Sequence, residues 1–236
     1  FSHLNRINES KLFKSQTKKI IPKLRYYNKK LLNIIYESTI KYDEVEKKDN
    51  YAYMPLQFQP EASIDIQSFK FSNQIETARQ IAMRLPNKMC LYVKDHPLMF
   101  GFRKKSYLLK IKSLPNVKLI NFRVPTKKVL ENSKILISAT GSTFFEAAIL
   151  KKPSILLGSL GDITKLPNVS KINNFDEIHD YVLKKLEQSY ENNDYDLKLK
   201  HYIRAAINSG FDSNYVKIWE KNINPTTEQI DYIFNK

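Results

Sequence analysis

The sequence has a single cysteine, Cys90, among its 236 residues. One thiol excludes both an internal disulfide framework and a cysteine-based metal site within the chain. No apolar run reaches the roughly 18–20 residues that a membrane-spanning helix needs. The first residues carry no basic stretch followed by an apolar one, so no secretory signal is visible. We therefore expect a reduced, cytoplasmic protein.

Several catalytic motifs are absent as well. The histidines outside the central region, His3, His179 and His201, show no ligand spacing, so we expect no metal site. The sequence contains no Gly-x-Ser-x-Gly motif, which argues against a hydrolase triad. It also lacks the lysine-containing phosphate loop of ATPases. No motif calls for a bound cofactor, and we expect none.

The residues that are present predict a parallel α/β fold. Hydrophobic residues make up 42% of the chain and aromatic residues 12%, which is enough for a sizeable core. Short apolar segments alternate with amphipathic helical ones, as in a parallel sheet that is covered on both faces. The predicted strands are 51–56, 89–93, 117–120, 134–138, 154–157 and 169–172. We assign residues 50–236 to one Rossmann-like domain that ends in helices.

Residues 1–49 form a segment of a different kind, a basic helical arm. The net charge of the chain is +15. Eight basic residues in the arm are interleaved with apolar residues at helical spacing and with no acid between them: Lys11, Lys14, Lys18, Lys19, Lys23, Arg25, Lys29 and Lys30. Such a helix either packs its apolar side on its own domain or lies on an anionic membrane surface. Binding of nucleic acid is a weaker alternative, because no RNA-recognition motif is present, and we expect none.

Three polar clusters follow predicted strands. They are residues 57–61, residues 94–97, and residues 138–143 with Glu146 in the next helix. The carboxyl ends of parallel strands meet at one edge of the sheet, where such folds bind their ligands. The sequence therefore predicts one site built from all three clusters.

The third cluster has the composition of a phosphate site. Gly141 permits close approach of a phosphate to the backbone, and Ser142 and Thr143 add hydroxyl donors at a helix start. Glu146 follows one turn later, where its carboxylate can accept bonds from ribose hydroxyls. The alternative interpretation is a helix cap, with Glu146 completing a capping box.

The second cluster centres on His96. Pro97 favours an extended conformation for the residue before it, and an imidazole placed there can stabilise a leaving phosphate. Lys94 adds positive charge that suits an anionic ligand. The alternative is an ordinary surface histidine in a turn.

The segments 53–63, 92–97 and 139–148, followed by Lys152-Pro153, resemble the capsule polysaccharide biosynthesis family, which includes the Kdo transferases of capsule assembly. Gln59-Pro60 and His96-Pro97 match its "QP" and "HP" motifs. The resemblance implies a GT-B-like fold and a nucleotide-activated sugar donor, often a CMP-sugar. It places Gln59 and Glu61 at the donor sugar or the interdomain cleft. It places Lys94 and His96 at the donor phosphate, and Ser142, Thr143 and Glu146 at the nucleotide.

These observations predict a glycosyltransferase, or its donor-binding half, that moves a sugar to a bacterial capsule or other surface polysaccharide. The acceptor would be a glycan or a glycolipid. His96 would stabilise the leaving phosphate, and Glu61 is the candidate for acid/base work. We expect a cytoplasmic location with peripheral contact at the inner membrane through the arm.

Two Rossmann-like domains are usual in GT-B enzymes, and this sequence has room for one. We therefore expect either that an amino-terminal domain is missing or that the protein is a reduced relative. Two further functions remain open. One is a non-catalytic nucleotide-sugar-binding or scaffold subunit, and the other is transfer of a polyol phosphate from a CDP-linked donor.

Overall fold

The computed structural model describes residues 22–86, 88–187 and 193–209. The chain forms two compact units, one that runs to Asn192 and one that begins at Asn193. The first unit contains a six-stranded sheet, and all of its neighbouring strands are parallel. The strands are β1 (Tyr51–Pro55), β2 (Cys90–Lys94), β3 (Val117–Ile120), β4 (Ile135–Ser138), β5 (Ser154–Leu156) and β6 (Val169–Lys171). This architecture confirms the predicted Rossmann-like α/β class.

Helices connect the strands in the manner of a doubly wound sheet. They are α1 (residues 22–38), α2 (Ala62–Asp65), α3 (Gln74–Arg84), α4 (Lys105–Lys112), α5 (Thr126–Asn132), α6 (Thr143–Ile149) and α7 (Ile178–Glu187). Four 3-10 turns complete the connections: Phe69–Phe71, Pro97–Met99, Gly161–Lys165 and Phe175–Glu177.

The order of the strands across the sheet is β3-β2-β1-β4-β5-β6. The chain builds outward from β1 in one direction and then returns to build outward from β4 in the other. The connections after β1 and β4 therefore run to opposite faces of the sheet from its carboxyl edge, the topological switch point of this class of fold. We use "switch point" below for this edge between β1 and β4.

The two faces of the sheet differ in composition because side chains alternate along each strand. One face is aliphatic and packs against α3, α4 and α7 through residues that include Ala52, Met54, Leu91, Val93, Ile135 and Ile137. The other face carries three buried tyrosines. The rings of Tyr51 and Tyr92 stack with their centroids 3.8 Å apart. The hydroxyl of Tyr51 donates to the carbonyl of Val129 at 2.6 Å, which fastens α5 to this face.

The arm is only partly helical in the described residues. Helix α1 ends at residue 38, and residues 39–50 form an extended connection with one turn, so the predicted continuation of helix to residue 49 is wrong. Tertiary contacts explain the difference. The N–H of Asp43 donates to the carbonyl of Leu119 at 2.9 Å, and the N–H of Leu119 donates to the Asp43 carboxylate at 2.8 Å. Asp43 thus pairs with the end of β3 instead of continuing the helix.

The second unit is described through one helix, α8 (Asn193–Ser209), where the sequence predicts a helix over 195–207. The predicted helix at 215–219 and the arm lysines before residue 22 lie outside the described residues. Within the described ranges, no helix combines the length and the apolar character that crossing a membrane requires.

Candidate functional site

The segments after β1 and β4 meet directly at the switch point. The side-chain amide of Gln57 donates to Ser138 Oγ at 3.0 Å and to the carbonyl of Pro55 at 3.1 Å. Gly141 lies beside the same amide. It has a φ of +109°, and a Cβ atom built on it would lie 2.9 Å from Gln57 Oε1. Both the backbone conformation and the neighbouring amide therefore require glycine at this position.

The loop between Gly141 and α6 differs from a simple helix cap. Ser142 is the N-cap residue of α6, yet it takes helical dihedral angles (φ −70°, ψ −13°) and its side chain makes no capping hydrogen bond. The capping-box interpretation is therefore not what forms. Thr140, just before the glycine, is fully buried, and within the described part of the chain its hydroxyl has no hydrogen-bond partner. Ser142 is exposed, and Thr143 is partly exposed.

Lys94 ends β2 with its charge buried. Only 4% of the residue is exposed, and its ammonium group donates to Thr126 Oγ1 at 3.0 Å. Burial lowers the pKa of Lys94, while the nearby carboxylate of Glu146 acts in the opposite direction. Glu146 is exposed on α6. The structure thus places Lys94 and Glu146 within electrostatic reach of each other across the switch point.

His96 is partly exposed at the start of the turn Pro97–Met99. The N–H of Leu98 donates to His96 Nδ1 at 3.2 Å, so the neutral ring carries its proton on Nε2. Burial lowers the pKa of His96, and the positive charges of Lys94 and Arg103 lower it further. The ring lies edge-on to Phe58, with centroids 5.9 Å apart. The neutral Nε2–H is therefore the form available at neutral pH as a hydrogen-bond donor.

Glu61 lies near this histidine on the segment that follows β1. It is exposed at the N-cap position of α2, where its side chain makes no capping hydrogen bond. Its negative charge acts to raise the pKa of His96, against the effect of burial. Of the two residues predicted to be catalytic, Glu61 therefore acts electrostatically on His96 from a neighbouring loop.

Gln59 has a different setting. Its amide nitrogen donates to Asp65 Oδ1 at 2.7 Å and to the carbonyl of Ser72 at 3.0 Å. Its amide oxygen accepts from Gln74 Nε2 at 2.6 Å. The peptide bond between Gln59 and Pro60 is cis. These contacts hold the side chain of Gln59 against the connection between β1 and α3 and the start of α3.

Two residues that matter to this geometry have no role in the sequence-based prediction. Gln57 was only the first residue of a cluster, although its side chain spans the switch point. Arg103 belongs to no motif. It is buried, and its Nε donates to Asp95 Oδ1 at 2.9 Å. Asp95 belongs to the predicted cluster at residues 94–97. Nothing in the sequence spacing indicates that its partner is Arg103, eight residues later.

Other features of the described residues lie apart from this site. Within the described ranges, no group of three or more histidine, cysteine, aspartate and glutamate side chains could hold a metal ion. A cavity of about 250 Å³ lies past the ends of β5 and β6, lined by residues that include Ser68, Lys70, Gly158, Ser159 and Lys171. None of the predicted site residues lines it.

The chain matches the model of the family described as capsule polysaccharide biosynthesis protein over residues 3–160. This range includes all three motif segments, and the match confirms the resemblance on which they were grouped. No curated protein sequence matches the chain.

Solved structures with a similar arrangement include three sugar-processing enzymes. The beta Kdo 2,7 transferase KpsC of Thermosulfurimonas dismutans has 15% identity and a TM-score of 0.44, covering 64% of this chain and 47% of its own. The spinosyn rhamnosyltransferase SpnG, complexed with thymidine diphosphate, has 15% identity and a TM-score of 0.45, and the match covers 70% of this chain and 45% of SpnG. The UDP-GlcNAc 2-epimerase of Methanocaldococcus jannaschii has 16% identity and a TM-score of 0.44, and the match covers 75% of this chain and 51% of the epimerase. The chain spans about half the length of these proteins.

Proposed function

The chain belongs to the capsule polysaccharide biosynthesis protein family, and from that premise we propose that it binds a nucleotide-activated sugar at the switch point and transfers the sugar to a bacterial surface glycan. One observation carries the proposal. The segments after β1 and β4, each part of a family motif, are joined there by the contact of Gln57 with Ser138 and Gly141. The remaining motif, which contains Lys94 and His96, lies at the carboxyl end of β2, the strand that pairs with β1.

The segment that follows β4 is our candidate for the nucleotide subsite. Gly141 has no side chain that would keep a phosphate from the backbone, and the hydroxyl groups of Ser142 and Thr143 lie at the start of α6. Glu146 is exposed one turn further on, in reach of a ribose hydroxyl. Lys94 supplies positive charge from beneath and opposes the charge of Glu146.

The transfer step follows from the same geometry. The bond between the anomeric carbon of the sugar and the donor phosphate oxygen breaks, and the electron pair stays on the phosphate. His96 donates a hydrogen bond through Nε2 to that phosphate and so stabilises the developing charge. Glu61, exposed on the neighbouring loop, is the candidate base for the proton of the acceptor hydroxyl that attacks the anomeric carbon. Gln59 would hold the loop that carries Gln57 and Glu61.

Turnover of candidate donors tests the enzymatic part of this proposal. The chain would be incubated with CMP-, UDP-, GDP- and dTDP-linked sugars and with CDP-glycerol, and the released nucleotide would be quantified. Release from one sugar donor, abolished by His96→Ala, supports glycosyl transfer. Release from CDP-glycerol alone would favour polyol-phosphate transfer. Binding without release from any donor would favour a nucleotide-sugar-binding subunit. We leave the nucleotide open, with CMP as the first choice that the family suggests.

Helix α1 supports a second proposal, peripheral contact with an anionic membrane. One side of the helix carries exposed apolar residues that are each at least half exposed: Leu24, Tyr27, Leu31, Leu32 and Ile35. The exposed basic residues Lys23, Arg25 and Lys29 lie on the same helix. Apolar and basic side chains together are the pattern of helices that bind the surface of anionic bilayers.

Co-sedimentation with liposomes tests this second proposal. We expect the chain to pellet with phosphatidylcholine vesicles that contain phosphatidylglycerol and to stay in solution with phosphatidylcholine alone. The double variant Leu31→Gln/Ile35→Gln should lose the binding. Ile66→Gln is the matched control, because Ile66 is 75% exposed on a different surface. Equal pelleting with both kinds of vesicle would count against the proposal.

A further inference from the structure

A buried ion pair lies behind the candidate site. Asp95 and Arg103 are 3% and 6% exposed, and Arg103 Nε donates to Asp95 Oδ1 at 2.9 Å. The same guanidinium donates through Nη2 to the carbonyl oxygen of Gln57. One side chain therefore joins the segment after β1 to the segment after β2.

Both hydrogen-bond partners of Arg103, Asp95 and Gln57, are in turn linked to residues of the proposed site. Asp95 Oδ1, which accepts from Arg103, also accepts from the backbone N–H of His96 at 2.8 Å. Gln57, whose carbonyl accepts from Arg103, extends its side chain to Ser138 and Gly141. Arg103 is thus connected to both sides of the proposed donor site through hydrogen bonds, although it lies beneath the site.

The loop that carries Arg103 is held from its other side by α1. The N–H of Gly101 donates to Glu37 Oε2 at 3.1 Å, and Asn33 Nδ2 donates to the carbonyl of Gly101 at 3.1 Å. The guanidinium of Arg103 also lies over the ring of Tyr107, with 4.8 Å between Cζ and the ring centroid. These contacts restrict the rotamer and the backbone of Arg103, so its hydrogen bonds are pre-organised.

We propose that Arg103 is a positioning residue for donor binding, whose guanidinium fixes the spacing between Gln57 and His96 across the switch point. The inference rests on the proposed function, because it requires that the nucleotide-activated sugar binds between these two segments. A lysine cannot take over the role. Its ammonium group is a point charge on a flexible chain, whereas the planar guanidinium holds donors in fixed directions toward two acceptors.

Nucleotide binding to the 236-residue chain tests this role. Affinities for CMP, CDP, UDP and GDP would be measured by calorimetry for the wild type, Arg103→Lys and Arg103→Ala, with folding checked by circular dichroism. We expect both variants to bind about tenfold more weakly or worse, as when supporting groups behind a binding site are removed. Arg79→Lys is the control, because Arg79 forms an ion pair with Glu76 on the surface of α3. This variant should bind the nucleotide with the affinity of the wild type. If Arg103→Ala does not fold, Arg103→Lys decides the question.

A second readout separates positioning from general stability. The positive charge of Arg103 contributes to the lowered pKa of His96. Titration of the His96 ring protons by NMR should therefore show a higher pKa in Arg103→Ala than in the wild type. Methylguanidinium added to that variant should restore part of both the low pKa and the affinity.

The outcomes distinguish this inference from the proposed function. If the wild type binds none of the nucleotides, the proposed function fails and the positioning role falls with it. If the wild type binds one of them and the folded variants bind it equally well with an unchanged His96 pKa, only the positioning role is wrong.

Discussion

Individual residues at the switch point have settings that the sequence could indicate only in part. The positions of Gly141, Lys94 and His96 at the carboxyl edge of the sheet could be predicted, because each lies at or just after the end of an apolar strand and parallel strands end at the same edge. The contacts that hold the site together could not be predicted from the sequence. The contact of Gln57 with Ser138 joins positions 81 residues apart. Arg103 carries no motif, and its importance comes from burial between two loops, which depends on the complete fold.

Gly141→Ala should weaken nucleotide binding while the domain stays folded. The φ of +109° is unfavourable for alanine, and its Cβ would lie 2.9 Å from Gln57 Oε1, so the loop or the amide must move. We expect affinity to fall about tenfold or more, measured by calorimetry. Gly161→Ala is the matched control. Gly161 also has a positive φ, +43°, but nothing lies within 4 Å of the position of its Cβ. That variant should lose about 1 kcal/mol of stability and keep its affinity.

The pH dependence of binding should depend on His96. In the free protein burial lowers the pKa of His96, and a bound phosphate would raise it, because an anion stabilises the charged ring. Binding should therefore take up a proton, and affinity should increase as the pH falls from about 8 to about 6. Calorimetry across this range would show the slope, which His96→Asn should reduce. The ligand phosphate titrates equally with both proteins, so an identical slope in the variant would contradict the assigned role of His96.

At the level of secondary structure, the strands were predictable and the connections less so. Strands β2 to β6 lie within about one residue of their predicted ends, because each is a short segment that contains apolar residues and lies between helical or turn patterns. The connection 39–50 was wrongly assigned to helix. Its conformation depends on pairing of Asp43 with Leu119, a contact across 76 residues that local pattern does not contain.

The anchoring of α1 predicts how the stability of the fold varies with pH. Glu37 is 1% exposed and accepts from Gly101 N–H, yet burial raises its pKa above the ordinary value for glutamate. Burial likewise raises the pKa of Asp95, to about 6. A carboxyl group with a raised folded-state pKa binds its proton more tightly in the folded state. Its stabilising contribution is complete below the unfolded-state pKa and is lost as the pH rises through the folded-state pKa.

Glu37→Gln should therefore remove one contribution that decreases with rising pH. The free energy of unfolding would be measured by urea denaturation between about pH 4 and pH 7.5, and the wild type should lose stability relative to the variant as the pH rises. Gln keeps an acceptor for Gly101 and has no proton to lose. Glu131→Gln, on the exposed surface of α5, provides the comparison and should leave the slope unchanged. If the difference in unfolding free energy between the wild type and Glu37→Gln stays constant across this range, or changes in favour of the wild type as the pH rises, the buried setting of Glu37 is contradicted.

At the level of the whole molecule, the described chain is one parallel sheet with its motifs on a single edge, joined to a basic helix whose apolar side is exposed. Family membership follows from a match over residues 3–160, and the sequence motifs were sufficient to suggest it. The acceptor and the nucleotide could not be predicted, because no motif in the sequence specifies either of them. The chain also spans about half the length of the solved structures it resembles.

Calorimetric binding of CMP, CDP, UDP and GDP to the chain, repeated with His96→Ala and Glu146→Ala, tests the central claim most directly. We expect one nucleotide to bind and both variants to lose the binding, because His96 follows β2 and Glu146 lies on α6, on the two sides of the proposed site. Lys128→Ala, an exposed change on α5, should bind as the wild type does. Absence of binding by all four nucleotides at millimolar concentration, or binding that survives both substitutions, would contradict a nucleotide-sugar site at the switch point.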